Sequence, residues 1–247
     1  MSEHAKLRIK FHKTGALRFI GHLDVMRFFQ KCLRRAEIPV CYTGGFSPHQ
    51  ILTFAAPLSV GLESLGEYMD VEVSSYTTSE DILRRLNKAS VPEIEIVSVK
   101  LLPENAGNAM ASVAAASYEV SFREGRVPAF FMESDEMIKM ELEAFLGRPM
   151  IPYVKSGKKG TREVDLKPGI FSLEWFPGQK CFHMLLDASS GDNVKPSQVL
   201  DAFLSARGEC LPENSLKILR LDTLTRAPHG DGEIGELISM DSVGEIF

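Results

Sequence analysis

The sequence predicts an α+β protein of two ferredoxin-like (βαββαβ) domains in tandem, each an antiparallel sheet with helices on one face. Two observations carry this. Short runs of alternating apolar and polar residues are interleaved with helical periodicities, and the order strand, helix, strand, strand, helix, strand occurs twice in 247 residues. Between the two series, the small-residue stretch NAGNAMASVAAA is expected to be a linker over residues 105–116. The domains are expected over residues 1–104 and 117–228, followed by an acidic extension, 229–247, with the character of a solvated or mobile tail.

Leu7, Ile9 and Phe11 alternate with Lys6, Arg8, Lys10 and His12, which predicts a half-buried first strand with a cationic outer face. A helix follows over residues 21–36 and Pro39 stops it. Strands are expected over 53–60 and 67–73, a helix capped at Ser79 with Ile82, Leu83 and Leu86 on its apolar side, and a strand over 94–102. In the second series Tyr118, Val120 and Phe122 make a strand, and Ser134 caps a helix ending at Gly147. Strands follow over 163–175 and 181–187, Pro196 opens a helix, and 216–221 is the last strand. In this arrangement the first and third strands are neighbours, so Arg8 and Lys10 are expected to pair with Asp70 and Glu72.

With 44% hydrophobic and 25% charged residues the chain can bury a substantial core. No apolar run approaches the roughly 20 residues that cross a bilayer, and MSEHAKLRIKFHKTG lacks the apolar centre of a secretory signal. No membrane association and a cytoplasmic location are therefore expected. Cys32, Cys41, Cys181 and Cys210 stand far apart with no C-x-x-C, so they are read as reduced, mostly buried thiols with no metal role. The net charge is −5, yet nine lysines and arginines against three acids fall within residues 1–50.

At 100° per residue, Arg27, Lys31, Arg34 and Arg35 fall within about a third of the helix circumference, while Leu23, Met26, Phe29 and Leu33 face a core. Asp24 lies on the cationic side and can pair with Arg27. Such a stripe is as readily a solvated helix face as an anion site, although two adjacent arginines suit the bidentate grip of a phosphate. The following loop, TGGFSPHQ, offers Gly44 and Gly45 for close backbone approach and Ser47 and His49 as side-chain donors. A second cationic loop carries Lys155, Lys158, Lys159 and Arg162, spaced by glycines, and is either a polyanion clamp or a soluble surface turn. His22 and His49 are weak candidates for a general acid or base. No nucleophile, base and orienting group can be assembled from spacing.

The runs LRFIGHLDVMRFFQKCLRRAEIPV, YTGGFSPHQILTFAAPLSVGLES and GEYMDVEV, with TREVDLKP later, resemble the radical-SAM-linked domain of unknown function, an uncharacterised conserved bacterial family, over residues 6–226. In that family the domain is often fused to, or encoded beside, a radical SAM protein with a cobalamin-type domain, near genes for ribonuclease and ribosomal proteins. The resemblance implies a partner role in RNA or ribosome modification. This chain lacks the cysteine triplet that holds a radical SAM cluster, so no cofactor is expected and the radical chemistry is assigned to another polypeptide.

The function expected is an RNA-binding accessory protein that presents tRNA or rRNA to a radical SAM protein in trans. Phosphates would be held by Arg18, Arg27, Lys31, Arg34, Arg35, Lys158, Lys159 and Arg162, with Ser47 and His49 at the loop. The alternatives are an RNA-processing enzyme using His22 or His49, and a scaffold whose basic helix docks an acidic protein.

Overall fold

The computed structural model describes residues 4–157, 160–227 and 235–247. The protein is mixed α+β, with most strands in a large, mostly antiparallel sheet and few helices. The chain divides into two compact units, Met1–Ala114 with Arg220–Phe247, and Ala115–Leu219. Among the described residues no helix is long and apolar enough to cross a membrane.

Unit 1 begins with β1 (Ala5–Lys13), α1 (His22–Arg35), β2 (Leu52–Phe54), β3 (Glu63–Val73), α2 (Ser79–Ala89), β4 (Ile96–Leu101) and the short α3 (Ala109–Ser112). The sheet order is β4-β1-β3, and β2 pairs with β3 through Leu52 opposite Val71. Leu7, Ile9 and Phe11 of β1 meet Val25, Phe29 and Leu33 of α1 and Ile82 and Leu86 of α2 in one buried core. Phe11 and Phe29 lie 4.6 Å apart between ring centroids. Each such side chain contributes roughly 1.5–3 kcal/mol on burial.

Local signals set the helix ends. Helix α1 stops where Glu37 takes φ +53, with Ile38 N–H donating to Leu33 O and Glu37 N–H to Arg34 O, a Schellman closure made without glycine. In α2 the cap is Thr78, whose hydroxyl accepts the Asp81 N–H. Ser79, expected as the cap, instead accepts the Phe247 N–H and donates its own N–H to Phe247 O.

Unit 2 contains β5 (Ala115–Phe122), α4 (Asp135–Leu146), β6 (Pro152–Gly157), β7 (Gly160–Asp165), β8 (Ile170–Phe176), β9 (Cys181–Asp187) and α5 (Pro196–Ser205). Strands β5, β9 and β8 pair antiparallel in that order, and β6 with β7 forms a separate hairpin. The Ser134 hydroxyl caps α4 by accepting the Met137 N–H, as the sequence implied. The single strand expected over 163–175 is divided into β7 and β8 by the turn Lys167–Gly169, where Pro168 supplies no N–H. Phe131, Trp175, Phe182 and Phe203 form an aromatic core, and Trp175 Nε1 donates to Asp135 at 2.8 Å. The stretch expected as a linker holds α3 and the start of β5.

The strand β10 (Leu216–Arg226) leads the chain back to unit 1, where β11 (Leu237–Ser239) pairs with it through Leu224 opposite Ser239. Residues 235–247, expected in a solvated acidic extension, are built into unit 1 on the outer face of β1, β3 and β4. The reason is charge. Arg8, 2% exposed, makes a bidentate pair with Asp70 at 2.8 and 2.9 Å, and its remaining nitrogen donates to Met240 O at 3.3 Å. Asp241 accepts from Ser98 and pairs with Lys100 at 3.7 Å. Lys10 pairs with Asp222 at 3.3 Å rather than with Glu72. The cationic face read from β1 is thus neutralised and covered.

On the opposite face, in phase with Phe11, Lys13 is buried near Glu67, which pairs with Arg220 at 2.8 Å. Burial pushes the Lys13 ammonium below its ordinary value, and Glu67 offsets part of this. Folding therefore expels a proton between the lowered value and the ordinary 10.5, and this group's contribution to stability rises with pH across that window. Lys13→Met is expected to be at least as stable as wild type at pH 7, with its advantage shrinking toward pH 10.5; urea midpoints across that range check it. Asp70→Ala, which leaves the guanidinium buried and unpaired, should lose about 3–5 kcal/mol. The double change Arg8→Leu with Asp70→Leu should lose much less, and a similar loss in both would contradict the account.

Candidate nucleic-acid interface

Helix α1 buries Val25, Phe29, Cys32 and Leu33, which turns Arg27, Lys31, Arg34 and Arg35 to solvent. Leu23, expected on the core side, is exposed, because Val25 takes the buried position at that end. Arg27 pairs with Asp24 at 3.3 Å, and Arg34 Nε reaches the Gln30 carbonyl at 3.4 Å. Lys31, Arg34 and Arg35 are set against no acidic side chain among the described ion pairs, and of these only Arg35 is tied to another helix.

Arg35 does structural work. Its Nη2 donates to Ala89 O at 2.8 Å, at the C-terminal end of α2. Reciprocally, Arg85 of α2 donates to Ala36 O at 3.1 Å and Glu37 O at 3.2 Å, at the C-terminal end of α1. Each helix thus lends an arginine to the other's terminal carbonyls, where the helix dipole favours a cation. The exchange brings together Arg35, Arg84, Arg85 and Lys88 around an open cleft of about 480 Å³ with Glu37 on its wall. Asp81 pairs with Arg84 at 2.5 Å and Arg85 at 3.0 Å, and the Thr77 hydroxyl and Arg84 hold its carboxyl below the usual range. The cleft remains cationic by residue count. Arg84, Arg85 and Lys88 stand outside the candidates drawn from the first helix, although their spacing along residues 79–89 carries the same signal.

The glycine loop is a small hairpin. Tyr42 bridges Gln50, and Thr43 N–H donates to His49 O at 2.9 Å. The Thr43 hydroxyl accepts the His49 N–H at 3.1 Å and lies 3.1 Å from His49 Nδ1, which ties the ring to the loop base. Gly45 takes φ +98, which strongly favours glycine, and no atom within 4 Å would obstruct a side chain there, so the constraint is conformational. Gly44, Gly45, Ser47 and His49 are exposed, and Phe46 is fully so. Gln50 Nε2 donates to Gln30 O at 3.3 Å, anchoring the loop base one helical turn from both Arg27 and Arg34.

The remaining candidates are dispersed. Arg18 precedes α1, pairs with Glu63 at 3.5 Å and stacks on Phe19 at 4.8 Å. The 14-residue helix spans about 20 Å, which separates Arg18 from Arg34 and Arg35. His22 packs edge-on against Phe54 at 5.1 Å. In unit 2 Arg162 is exposed opposite Lys155, whose ammonium donates to Asn193 O at 2.7 Å and is pushed down by burial and by Arg162. Lys158 and Lys159 lie outside the described residues.

The family described as "Uncharacterized protein conserved in bacteria (DUF2344)" matches residues 6–196. No curated protein matches the chain.

The geometry separates structural from solvent-facing cations. Arg85→Ala should destabilise by about 1.5–3 kcal/mol through lost charged hydrogen bonds to Ala36 O and Glu37 O. Lys31→Ala and Arg34→Ala should each stay within about 0.5 kcal/mol of wild type. Urea unfolding of the three variants reads the difference.

Proposed function

We propose, from the premise that this chain belongs to that conserved bacterial family of uncharacterised proteins, that it is an RNA-binding accessory protein. The observation that carries this reading is the solvent-facing pair Lys31 and Arg34 beside the Phe46-bearing loop, continuous along α1 with the Arg35, Arg84, Arg85 and Lys88 cleft. Exposed cations suit phosphates, and a fully exposed phenyl ring on a glycine loop suits an unpaired base, which duplex DNA does not offer. Arg27 and Arg162 would add phosphate contacts, as would Lys158 and Lys159; Arg18, tied to Glu63, contributes least.

The RNA is tRNA or rRNA and its recipient a cytoplasmic radical SAM enzyme acting in trans. That part rests on the resemblance of the RFIGHLD and GFSPH runs to the radical-SAM-linked family. Each unit is read as a ferredoxin-like arrangement, supported by the order β4-β1-β3 with β2 on β3 and by the antiparallel β5-β9-β8 set.

Binding of bulk small RNA should weaken steeply with salt. Lys31→Ala with Arg34→Ala should flatten the slope of log K against log salt by roughly 1.4–1.8, and Phe46→Ala should lower affinity without changing that slope. Fluorescence anisotropy over a salt series measures both. Wild-type affinity and slope in the double variant would overturn the proposal.

A further inference from the structure

We propose that Glu119, Cys181 and His183 form a binding site for a zinc-class divalent cation, with a fourth coordination position open. The site is independent of the RNA surface and lies wholly in unit 2. Glu119 of β5 stands directly opposite His183 of β9 in the antiparallel register, and Cys181 precedes His183 by two residues. All three side chains therefore leave the same face of the sheet, the face opposite the core residues Tyr118, Phe182 and Met184. Their donor atoms, a carboxylate oxygen, a thiol sulfur and an imidazole nitrogen, lie within 4.8 Å of one another.

Two details separate this trio from an incidental surface pair. Glu119 Oε2 and His183 Nε2 are 3.8 Å apart, too long for a hydrogen bond. Two ligands bonded at about 2.0–2.1 Å to one tetrahedral ion stand roughly 3.3 Å apart, so a small closing movement would suffice. His183 Nε2 is also buried and has no hydrogen-bond partner among the described residues, although the side chain is 37% exposed. A metal bond would replace the solvation that nitrogen has lost. Phe176 stacks on the imidazole at 4.2 Å and restrains its rotation. Cys181 is buried at the inner end, with Gln179 Oε1 3.6 Å from its sulfur, while the half-exposed Glu119 and His183 leave a path for entry.

One thiolate, one imidazole and one carboxylate suit Zn²⁺ or Co²⁺ rather than Mg²⁺ or Ca²⁺, which take oxygen ligands. On binding, the Cys181 S–H releases its proton to solvent and the sulfur lone pair bonds the cation, so one proton leaves for each ion bound.

The full chain, stripped with a chelator, would be titrated with Co²⁺ alone and then with Zn²⁺. One Co²⁺ per chain is expected, with a near-ultraviolet thiolate charge-transfer band and the intense visible bands of a tetrahedral site, both abolished by one equivalent of Zn²⁺. Cys181→Ser should remove the charge-transfer band, and His183→Gln should weaken binding more than about tenfold while keeping the wild-type far-ultraviolet circular dichroism. Cys210→Ser, at an exposed cysteine, should change nothing. A weak octahedral spectrum, a charge-transfer band that survives Cys181→Ser, or wild-type affinity in folded His183→Gln would each overturn the proposal.

Discussion

The buried pair between Arg8 and Asp70 sets the terms for unit 1. A guanidinium in the middle of the central strand, on the side of the sheet away from the helices, is tolerable only if every nitrogen is satisfied and water is replaced by fixed partners. Asp70 satisfies two nitrogens, and the Met240 carbonyl approaches the third. That requirement extends outward, because a carbonyl at that position means that the segment around residue 240 must be laid across the sheet. Asp241 then meets Lys100 and Ser98, and Phe247 closes on Ser79 at the start of α2. A helix layer lies on one side and a chain segment on the other, so β1 is buried on both.

The same economy governs the arginines of the two helices. Arg35 and Arg85 are anchored by each other's helix ends, which fixes the geometry of the cleft between them and leaves Lys88 and Arg84 at its rim. Arg35, held by a carbonyl, is not fully spent, since a guanidinium has five N–H donors and its bond to Ala89 O uses one of them. Arg35 can thus still face an anion, whereas Arg85, which also pairs with Asp81, and Arg18, held by a carboxylate and stacked on a ring, have less to offer.

Where local chemistry decides, the sequence was readable. The strand Cys181–Asp187, the Ser134 cap and the Pro196 helix start fall where alternation, an oxygen-bearing cap and a fixed φ placed them. The Arg8–Asp70 pair also followed from setting the first and third strands side by side, whereas the antiparallel register places Lys6, not Lys10, opposite Glu72. Illegible features depend on contacts that no periodicity encodes. Strand β2 ends at Phe54, short of the expected residue 60, and Gly61 takes φ +92 just beyond. The reciprocal arginine caps depend on two helices lying side by side. Glu119 joins Cys181 and His183 only through the register of β5 on β9, far from both in sequence, so cysteine spacing alone does not show it.

Because unit 1 is made of two separated stretches of chain, its completion is tied to the order of synthesis. All of Ala115–Leu219 is made between the strands that bear Arg8 and Asp70 and the residues that cover them. At about 5–20 residues per second, the first sheet waits roughly 5–20 s with its charged face in water. Unit 2 has its own aromatic core and every strand of its β5-β9-β8 set in hand by then. The stretch of unit 1 that precedes unit 2 in the chain thus belongs to the part that matures after it.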